Sequence, residues 1–240
     1  MDLGLTDRVA LVTASSRGLG LACAEALAGE GAHVAVTGRS ADRVHMAVTQ
    51  IRETTGAEVL GLPGDITDPD EPARVVEATA AHFGRLDVLV ANAGGPPAAR
   101  ALEVTDEQVV EAVNANLLTT IRLIRSARPH LADSDQARIC AITSSSVLQP
   151  IPMLALSNLA RVGLWGWAKT AAQDLAPQGI TLNLACPGLH ATDRVKNLGM
   201  SGPAGDPGNF GRAVAFLCSS SASFITGTTM LIDGGSTLGL

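Results

Sequence analysis

The stretch of sequence that decides the fold reads Thr13-Ala14-Ser15-Ser16-Arg17-Gly18-Leu19-Gly20. It connects a short apolar run, Val9–Thr13, to an alanine-rich run with helical spacing, Gly18–Ala28. Glycines at such a strand-to-helix turn let the backbone approach a pyrophosphate, and the helix N-terminus supplies free N–H donors and a positive dipole. A glycine-rich turn alone is a weak signal, so its meaning depends on the organisation of the rest of the chain.

Seven short aliphatic runs alternate with six longer runs that carry the i, i+3, i+4 apolar spacing of a helix. The predicted strands are Val9–Thr13, His33–Thr37, Glu58–Leu62, Asp87–Ala91, Arg138–Thr143, Ile180–Ala185 and Met230–Ile232. The predicted helices are Gly18–Ala28, Arg43–Glu53, Asp70–Phe83, Thr105–Ser126, Met153–Leu175 and Asp206–Ser219. This alternation predicts a Rossmann-like, doubly wound α/β fold with a seven-stranded parallel sheet flanked by helices. We expect a single domain over residues 1–240, with a short Gly/Pro-rich substrate loop at about 188–210.

The composition restricts the class of protein and its compartment. Hydrophobic residues make up 46% of the chain, aromatic residues only 2%, and tyrosine is absent. The net charge of -6 argues against a nucleic-acid partner, and no apolar run approaches the ~20 residues that span a bilayer. The four cysteines form no CxxC pair and the N-terminus lacks the pattern of a secretory signal. We therefore expect buried, reduced thiols in a cytoplasmic protein.

Further motifs come after the predicted strands in order: Asp65-Ile66, Asn92-Ala93-Gly94, Pro187-Gly188 and Ile232-Asp233-Gly234-Gly235. Together with the first turn, this series resembles short-chain dehydrogenase/reductases, and in particular the 3-oxoacyl-acyl-carrier-protein reductases, over essentially the whole chain. The resemblance implies that Asp65 and Ile66 hold the adenine of a nicotinamide cofactor and that Pro187 and Gly188 lie beside its nicotinamide. Ala14 stands where the family has its first glycine, and its methyl group should be tolerated if its φ is negative.

The end of the second strand indicates which nicotinamide cofactor is bound. An acidic residue there would bind the ribose 2′-OH of NAD, but the chain has Arg39 and Ser40. Arg39 can pair with a 2′-phosphate through its planar fork, and Arg17 is a second cation on the same side, so we expect NADP(H). The predicted cofactor-binding residues are Thr13, Ser15, Ser16, Arg17, Gly18, Leu19, Gly20, Arg39, Ser40, Asp65, Ile66, Asn92, Ala93, Gly94, Arg161, Pro187 and Gly188.

The family's usual catalytic tetrad of Asn, Ser, Tyr and Lys is altered in this chain. The resemblance assigns the asparagine to Asn116, rather than Asn114, and the serine to Ser144. Thirteen residues after Ser144, at the position of the tyrosine, stands Ser157, and Arg161 takes the position of the lysine. A serine hydroxyl is a much weaker acid than a phenol, and an arginine does not readily release a proton.

Three functions are compatible with this altered tetrad. The first is an NADPH-dependent reductase of a 3-oxoacyl- or polyketide-like ketone, free or tethered to a carrier. Positioned acid–base catalysis speeds a reaction about 10²–10⁴-fold, which lowers the barrier by roughly 3–5 kcal/mol. Holding the two reactants together lowers the barrier by about 7–11 kcal/mol, so such an enzyme can work without a phenol. The second is a non-catalytic NADP(H)-binding subunit beside a Tyr-containing relative, and the third is a non-redox use of the same pocket. The proton could come from water, from Ser157 or from the substrate, and His190 is a further candidate donor.

Two of the predicted helices carry more apolar surface than one core face requires. These are Thr105–Ser126 and Met153–Leu175, the second with Val162, Leu164, Trp165 and Trp167. Family members pair these helices, which implies a homo-oligomer, either dimer or tetramer, or a hetero-oligomer with a relative.

Overall fold

The computed structural model describes residues 2–238 and has one parallel sheet of seven strands. The strands lie in the order β3-β2-β1-β4-β5-β6-β7, which confirms the predicted doubly wound sheet. Their bounds are β1 Val9–Val12, β2 His33–Gly38, β3 Val59–Pro63, β4 Val88–Ala91, β5 Arg138–Ile142, β6 Thr181–Pro187 and β7 Thr229–Ile232. The strand order reverses between β1 and β4, and the carboxyl ends of these strands are where such sheets bind ligands.

Eight α-helices accompany the described strands. They are α1 Gly18–Gly29, α2 Ala41–Thr55, α3 Glu71–Phe83, α4 Asp106–Val113, α5 Thr119–Ala132, α6 Ala155–Leu175, α7 Asp193–Asn197 and α8 Pro207–Leu217. Alternate strand residues face opposite layers, as Ala10 and Val12 pack toward α1, α2 and α8 while Val9 and Leu11 pack toward α3, α5 and α6. Burial of the aliphatic strands from both faces is what holds these layers together.

The region predicted as one helix, Thr105–Ser126, differs from the prediction. A π-turn at Asn114–Leu118 separates α4 from α5, and α5 continues to Ala132 with Pro129 inside it. The Asn114 side chain donates to Thr67 O at 2.9 Å and accepts from Arg122 at 2.6 Å. The bond to Thr67 ties the irregular turn to the loop after β3, and the bond from Arg122 ties it to α5. Helical periodicity alone cannot reveal such a turn.

A buried carboxylate ties together the amino ends of the strands, away from the ligand side. Asp87 is fully buried and accepts from Val9 N at 2.9 Å, from Arg85 Nη2 at 2.6 Å and from Ser134 Oγ at 2.5 Å. The exposed Asp135 lies beside it, and a hydrogen bond from Arg8 lowers the pKa of Asp135 to about 2. The arrangement fixes the start of β1 against β4.

Two further expectations can be compared with the fold. All four cysteines are buried free thiols, as predicted. Within residues 2–238, no helix combines the length and apolarity needed to cross a bilayer.

Candidate active site

A cleft of about 1230 Å³ runs along the carboxyl ends of the strands, where the order of the sheet reverses. One end is lined by the glycine turn, the end of β2 and the loop after β3; the other is lined by the residues after β5, the start of α6 and the loop after β6. Segments far apart in sequence therefore meet at a single elongated site.

The glycine turn at the end of β1 carries the first correction. Ala14 has φ +46°, in the left-handed region, so the condition under which its methyl group should be tolerated without strain is not met. Its N–H donates to Thr37 Oγ1 at 3.0 Å and its carbonyl accepts from Asn92 Nδ2 at 3.2 Å. These bonds to β2 and to the loop after β4 hold Ala14 in a conformation that costs an L-residue about 1–2 kcal/mol.

Three residues predicted to bind the cofactor do not line the cleft. Thr13 exchanges hydrogen bonds with the Asn92 backbone at 2.7 and 2.9 Å, and Ser15 Oγ donates to Val12 O and accepts from Thr37 N. A Cβ on Gly20 would lie 2.5 Å from Ala14 O, so only glycine lets α1 start this close to the turn. Thr13, Ser15 and Gly20 thus shape the turn, whereas Ser16, Arg17, Gly18 and Leu19 line the cleft.

The end of the cleft near β2 is cationic. Arg17, Arg39 and Arg43 all line it, together with Ser40, Asp65 and Ile66. Helix α1 has no side-chain cap and no acidic residue in its first turn, so its free N–H groups remain available to an anion. Arg43 is not among the residues predicted from the sequence, although its place four residues after Arg39 in the first turn of α2 is a usable signal.

The loop after β4 forms the middle of the cleft. Asn92, Ala93 and Gly94, three of the predicted cofactor-binding residues, line it, and a Cβ on Gly94 would meet nothing within 4 Å. Asp65 accepts from Thr67 Oγ1 at 2.9 Å, so this carboxylate also stabilises its own turn. Pro187 and Gly188 line the cleft on the far side of the sheet reversal.

Two serine hydroxyls and one guanidinium form the opposite end. Ser144 Oγ accepts from Ser146 N at 3.1 Å, and Ser157 Oγ accepts from Arg161 Nε at 3.3 Å. Each hydroxyl accepts through a lone pair here, and among the described residues neither donates to a protein acceptor, so both protons can be donated to a ligand in the cleft. Ser144, Ser157 and Arg161 all line the cleft.

The Arg161 guanidinium is buried at the base of this group. Its Nη1 donates to the carbonyls of Ile142 and Thr143, both at 2.9 Å, which fixes α6 against the end of β5. Burial, with a smaller contribution from the nearby cation of Arg194, lowers the pKa of Arg161 to about 10. The residue thus keeps its positive charge at neutral pH but holds it in a poorly solvated place.

Among the described residues, the asparagine of the predicted tetrad forms no hydrogen bond with these groups. Asn116 lies on the π-turn, 1% exposed, and within the described structure neither its Oδ1 nor its Nδ2 has a hydrogen-bond partner. It does not line the cleft, although its neighbours Ala112 and Ala115 do. Asn114 is engaged by Thr67 and Arg122, so it does not replace Asn116.

The loop after β6 contributes residues that the sequence did not single out. Thr192 and Arg194 line the cleft, and a Cβ on Gly18 would lie 3.8 Å from Thr192 Cγ2. Asp193 lies 3.9 Å from Arg17, so the loop meets the glycine turn. Their position five to seven residues after Pro187 is the only sequence signal for them.

His190, one of the possible proton donors, lies outside the cleft. It is 4% exposed, its Nδ1 is 3.2 Å from Gly188 O, and its ring packs edge-on against Phe210 at 5.2 Å between centroids. The histidine holds the loop against α8, which removes it as a candidate donor.

Comparisons with known proteins identify the family to which this fold belongs. A family model described as Enoyl-(Acyl carrier protein) reductase matches residues 13–237. The 3-oxoacyl-[acyl-carrier-protein] reductase FabG of Escherichia coli is 34% identical, covering 97% of this chain and 98% of that protein. L-Sorbose reductase of Gluconobacter frateurii, solved with NADPH and L-sorbose, superposes with TM-score 0.93 at 29% identity, covering 100% of both chains. A short chain oxidoreductase of Pseudomonas aeruginosa containing an atypical catalytic center superposes with TM-score 0.92 at 27% identity, covering 99% of this chain and 100% of that one.

Proposed function

The chain belongs to the short-chain dehydrogenase/reductase family, and we propose that it is an NADPH-dependent reductase of a ketone of the 3-oxoacyl or polyketide type. The observation that carries this proposal is the single cleft that joins a cationic glycine turn to a pair of serine hydroxyls beside a guanidinium. The oxidoreductase names of the relatives and the NADPH held by the sorbose reductase support it.

The residues at the β2 end fit NADP(H). The uncapped N-terminus of α1 suits a pyrophosphate, and Arg39 with Arg43 suits a ribose 2′-phosphate. No carboxylate stands at the end of β2, where one would repel that phosphate and favour NAD. When bound, NADPH supplies the hydride for reduction.

The chain's own residues then act on the carbonyl. Ser144 and Ser157 donate hydrogen bonds to the carbonyl oxygen, and the Arg161 charge behind Ser157 stabilises the negative charge that develops there. Water entering from the cleft protonates the resulting alkoxide, either directly or through the Ser157 hydroxyl. Loss of a phenol donor costs about 10²–10⁴-fold in rate, so we expect a slower enzyme rather than an inactive one. The relative with an atypical catalytic center is consistent with a family site that departs from the usual residues.

Asn116 has a supporting place in this proposal. Its buried and unpartnered amide is suited to an ordered water beside the π-turn, because buried polar atoms normally find a partner. We assign it to positioning rather than to contact with the substrate.

The reductase is tested by NADPH oxidation with a panel of 3-oxo acids, esters and thioesters. We expect turnover by the purified chain alone, and a loss of roughly tenfold or more in kcat for Ser144→Ala with NADPH binding unchanged. The absence of tyrosine also favours a second function, a non-catalytic NADP(H)-binding subunit. That function predicts NADPH binding without turnover until a Tyr-containing relative is added, and NADPH-independent product formation would indicate a non-redox activity.

We propose a homo-oligomer formed through α4 and α6. Four apolar side chains are exposed on these helices and on the π-turn that follows α4: Val110 (66%), Leu118 (38%), Leu159 (48%) and Val162 (40%). Leu164 is buried in the core and the Trp165 and Trp167 rings pack partly buried against the core, so Val162 is the one exposed residue of the four predicted on α6. An apolar face of paired helices is the usual basis of a symmetric interface.

A further inference from the structure

Arg194 occupies a defined position at the substrate end of the cleft. It is the second residue of α7, and its Nη2 donates to the Pro96 carbonyl on the loop after β4. A Cβ on Gly95 would lie 2.8 Å from the same nitrogen, so the guanidinium packs closely on that loop. This bond extends the Arg194 guanidinium from α7 to the loop after β4, and Arg194 lines the cleft.

Arg161, on α6 beside the end of β5, is a second cation of the cleft. Its Nε and Nη1 are engaged by Ser157 and by two backbone carbonyls, and among the described residues its Nη2 donates to no protein acceptor. Since Arg161 lines the cleft, this edge of the fork is available to a ligand.

Among the described residues, no carboxylate forms an ion pair with Arg161 or Arg194. The acidic residues of the cleft are Asp65, Glu111 and Asp193, and within residues 2–238 none of them lies within 4.0 Å of Arg161 or Arg194. Asp65 is held by Thr67, and Asp193 faces Arg17. Burial lowers the pKa of both arginines, and repulsion from Arg194 lowers the pKa of Arg161 further. Arg161 is buried, whereas Arg194 is exposed where it lines the cleft. A buried cation is costly unless an anion pairs with it, and an anion bound at Arg194 would also offset the charge of Arg161.

We propose that the ketone substrate carries a carboxylate close to its carbonyl group, and that Arg194 binds this carboxylate in the positive field of Arg161. The inference rests on the proposed reductase and narrows its substrates to oxo acids. The proposed function assigns the cofactor's 2′-phosphate to Arg39 and Arg43 near β2 and its pyrophosphate to the N-terminus of α1, which leaves Arg194 for the substrate. A guanidinium fork matches a carboxylate with two parallel hydrogen bonds, which also orients the adjacent carbonyl toward Ser144 and Ser157.

The test compares 3-oxohexanoate with its neutral ethyl ester, using NADPH and three proteins: wild type, Arg194→Met and Lys196→Met. Lys196 is the matched control because it is an exposed cation of the same helix that does not line the cleft. We expect the wild type to favour the acid, and Arg194→Met to lower kcat/KM for the acid about 10- to 100-fold, mainly through KM. The ester, the KM for NADPH and the Lys196→Met protein should show no comparable change.

Calorimetry separates failure of this inference from failure of the reductase. Equal turnover of acid and ester, or an Arg194→Met effect on the KM for NADPH instead, would overturn the inference and leave the reductase standing. If neither compound is reduced, titration of each into the protein saturated with NADP⁺ still shows whether the cleft binds a carboxylate at Arg194. Binding of the acid alone, lost in Arg194→Met, supports the carboxylate site, whereas binding of both equally or of neither refutes it.

Discussion

Arg161 donates its Nε proton to Ser157 Oγ over 3.3 Å, one helical turn along α6. The bond uses an acceptor site of the hydroxyl and so leaves its proton to face the cleft. The Arg161 Nη1 is meanwhile bound to the carbonyls of Ile142 and Thr143, so the pair is anchored to the end of β5, beside Ser144. Ser157 and Arg161 therefore form one hydrogen-bonded pair, held in place by the backbone of β5 and the residue that follows it.

Rebuilding the family's usual pair should speed the reaction. We expect Ser157→Tyr with Arg161→Lys to raise kcat for 3-oxo substrates by about 10²–10⁴-fold, because a phenol next to an amine is a far better proton donor than serine. Ser157 lines the cleft, so a larger ring has space to extend. The control is Ser157→Phe with Arg161→Lys, which has the ring without the hydroxyl. A rise in both double variants, or in neither while NADPH still binds, would contradict the assigned roles.

The cationic end of the cleft should decide cofactor choice. Replacing Arg39 and Arg43 with alanine should weaken NADPH binding by about 10- to 100-fold and leave NADH nearly unchanged, because charged hydrogen bonds to the 2′-phosphate are lost. Titration calorimetry with both cofactors measures this. Arg125→Ala is the control, since Arg125 is exposed on α5 and does not line the cleft. Equal weakening of NADH and NADPH would rule out a specific phosphate site.

Ala14 should be a site of stored strain. Ala14→Gly relieves the strain of an L-residue in the left-handed region, but glycine also raises the conformational entropy of the unfolded chain. Because the first effect is larger, we expect a net stabilisation of about 0.5–1 kcal/mol. Ala93→Gly, at a position whose φ is not positive, should instead lower stability by about 0.5 kcal/mol. Chemical denaturation of the three proteins gives both values, and a destabilised Ala14→Gly would show that the turn is not strained.

The buried Asp87, at the amino ends of the strands, should contribute far more to the free energy of unfolding than the exposed Asp135 beside it. Asp87→Ala leaves the Val9 N–H and Arg85 without their acceptor, so we expect a loss of about 3 kcal/mol or more in unfolding free energy. Asp135→Asn should cost well under that, as exposed ion pairs contribute little. The Asp135 pKa is lowered to about 2, so its small contribution is present above its ordinary pKa of 3.8 and disappears as the pH falls through about 2. Similar losses for both variants at neutral pH would contradict this contrast.

The apolar face of α4 and α6 should hold the oligomer together. We expect Leu159→Glu with Val162→Glu to convert the assembly to monomers in light-scattering measurements, because the introduced charges would be buried at the interface. Met46→Glu is the control, an exposed apolar position on α2 in the opposite layer. A wild-type chain that is already monomeric would refute the proposed interface.

The sheet and the glycine turn were predictable because local signals and tertiary packing agree there. Each predicted strand matches an observed one within two residues at either end. Strands of a parallel sheet are buried on both faces by helices, so they stand out in the sequence as short aliphatic runs bounded by turn residues. The resemblance to the family also predicted that Ser144, Ser157 and Arg161 share one site, and all three line the same cleft.

Other features depend on contacts that spacing does not encode. The left-handed Ala14 is set by Thr37 and Asn92, and the inward-facing Asn116 is set by the π-turn. Arg194 could not be assigned because its position depends on Pro96, which is distant in sequence. These are tertiary effects that override local propensity.

Hydride transfer in this cleft can be followed by the passage of deuterium from reduced, deuterium-labelled NADPH to 3-oxohexanoate in a single turnover of the purified chain. We predict deuterium on the carbinol carbon of the product, with a rate roughly tenfold lower or more in Ser144→Ala. Full NADPH binding with no deuterium in any product would contradict the assignment of this chain as a reductase.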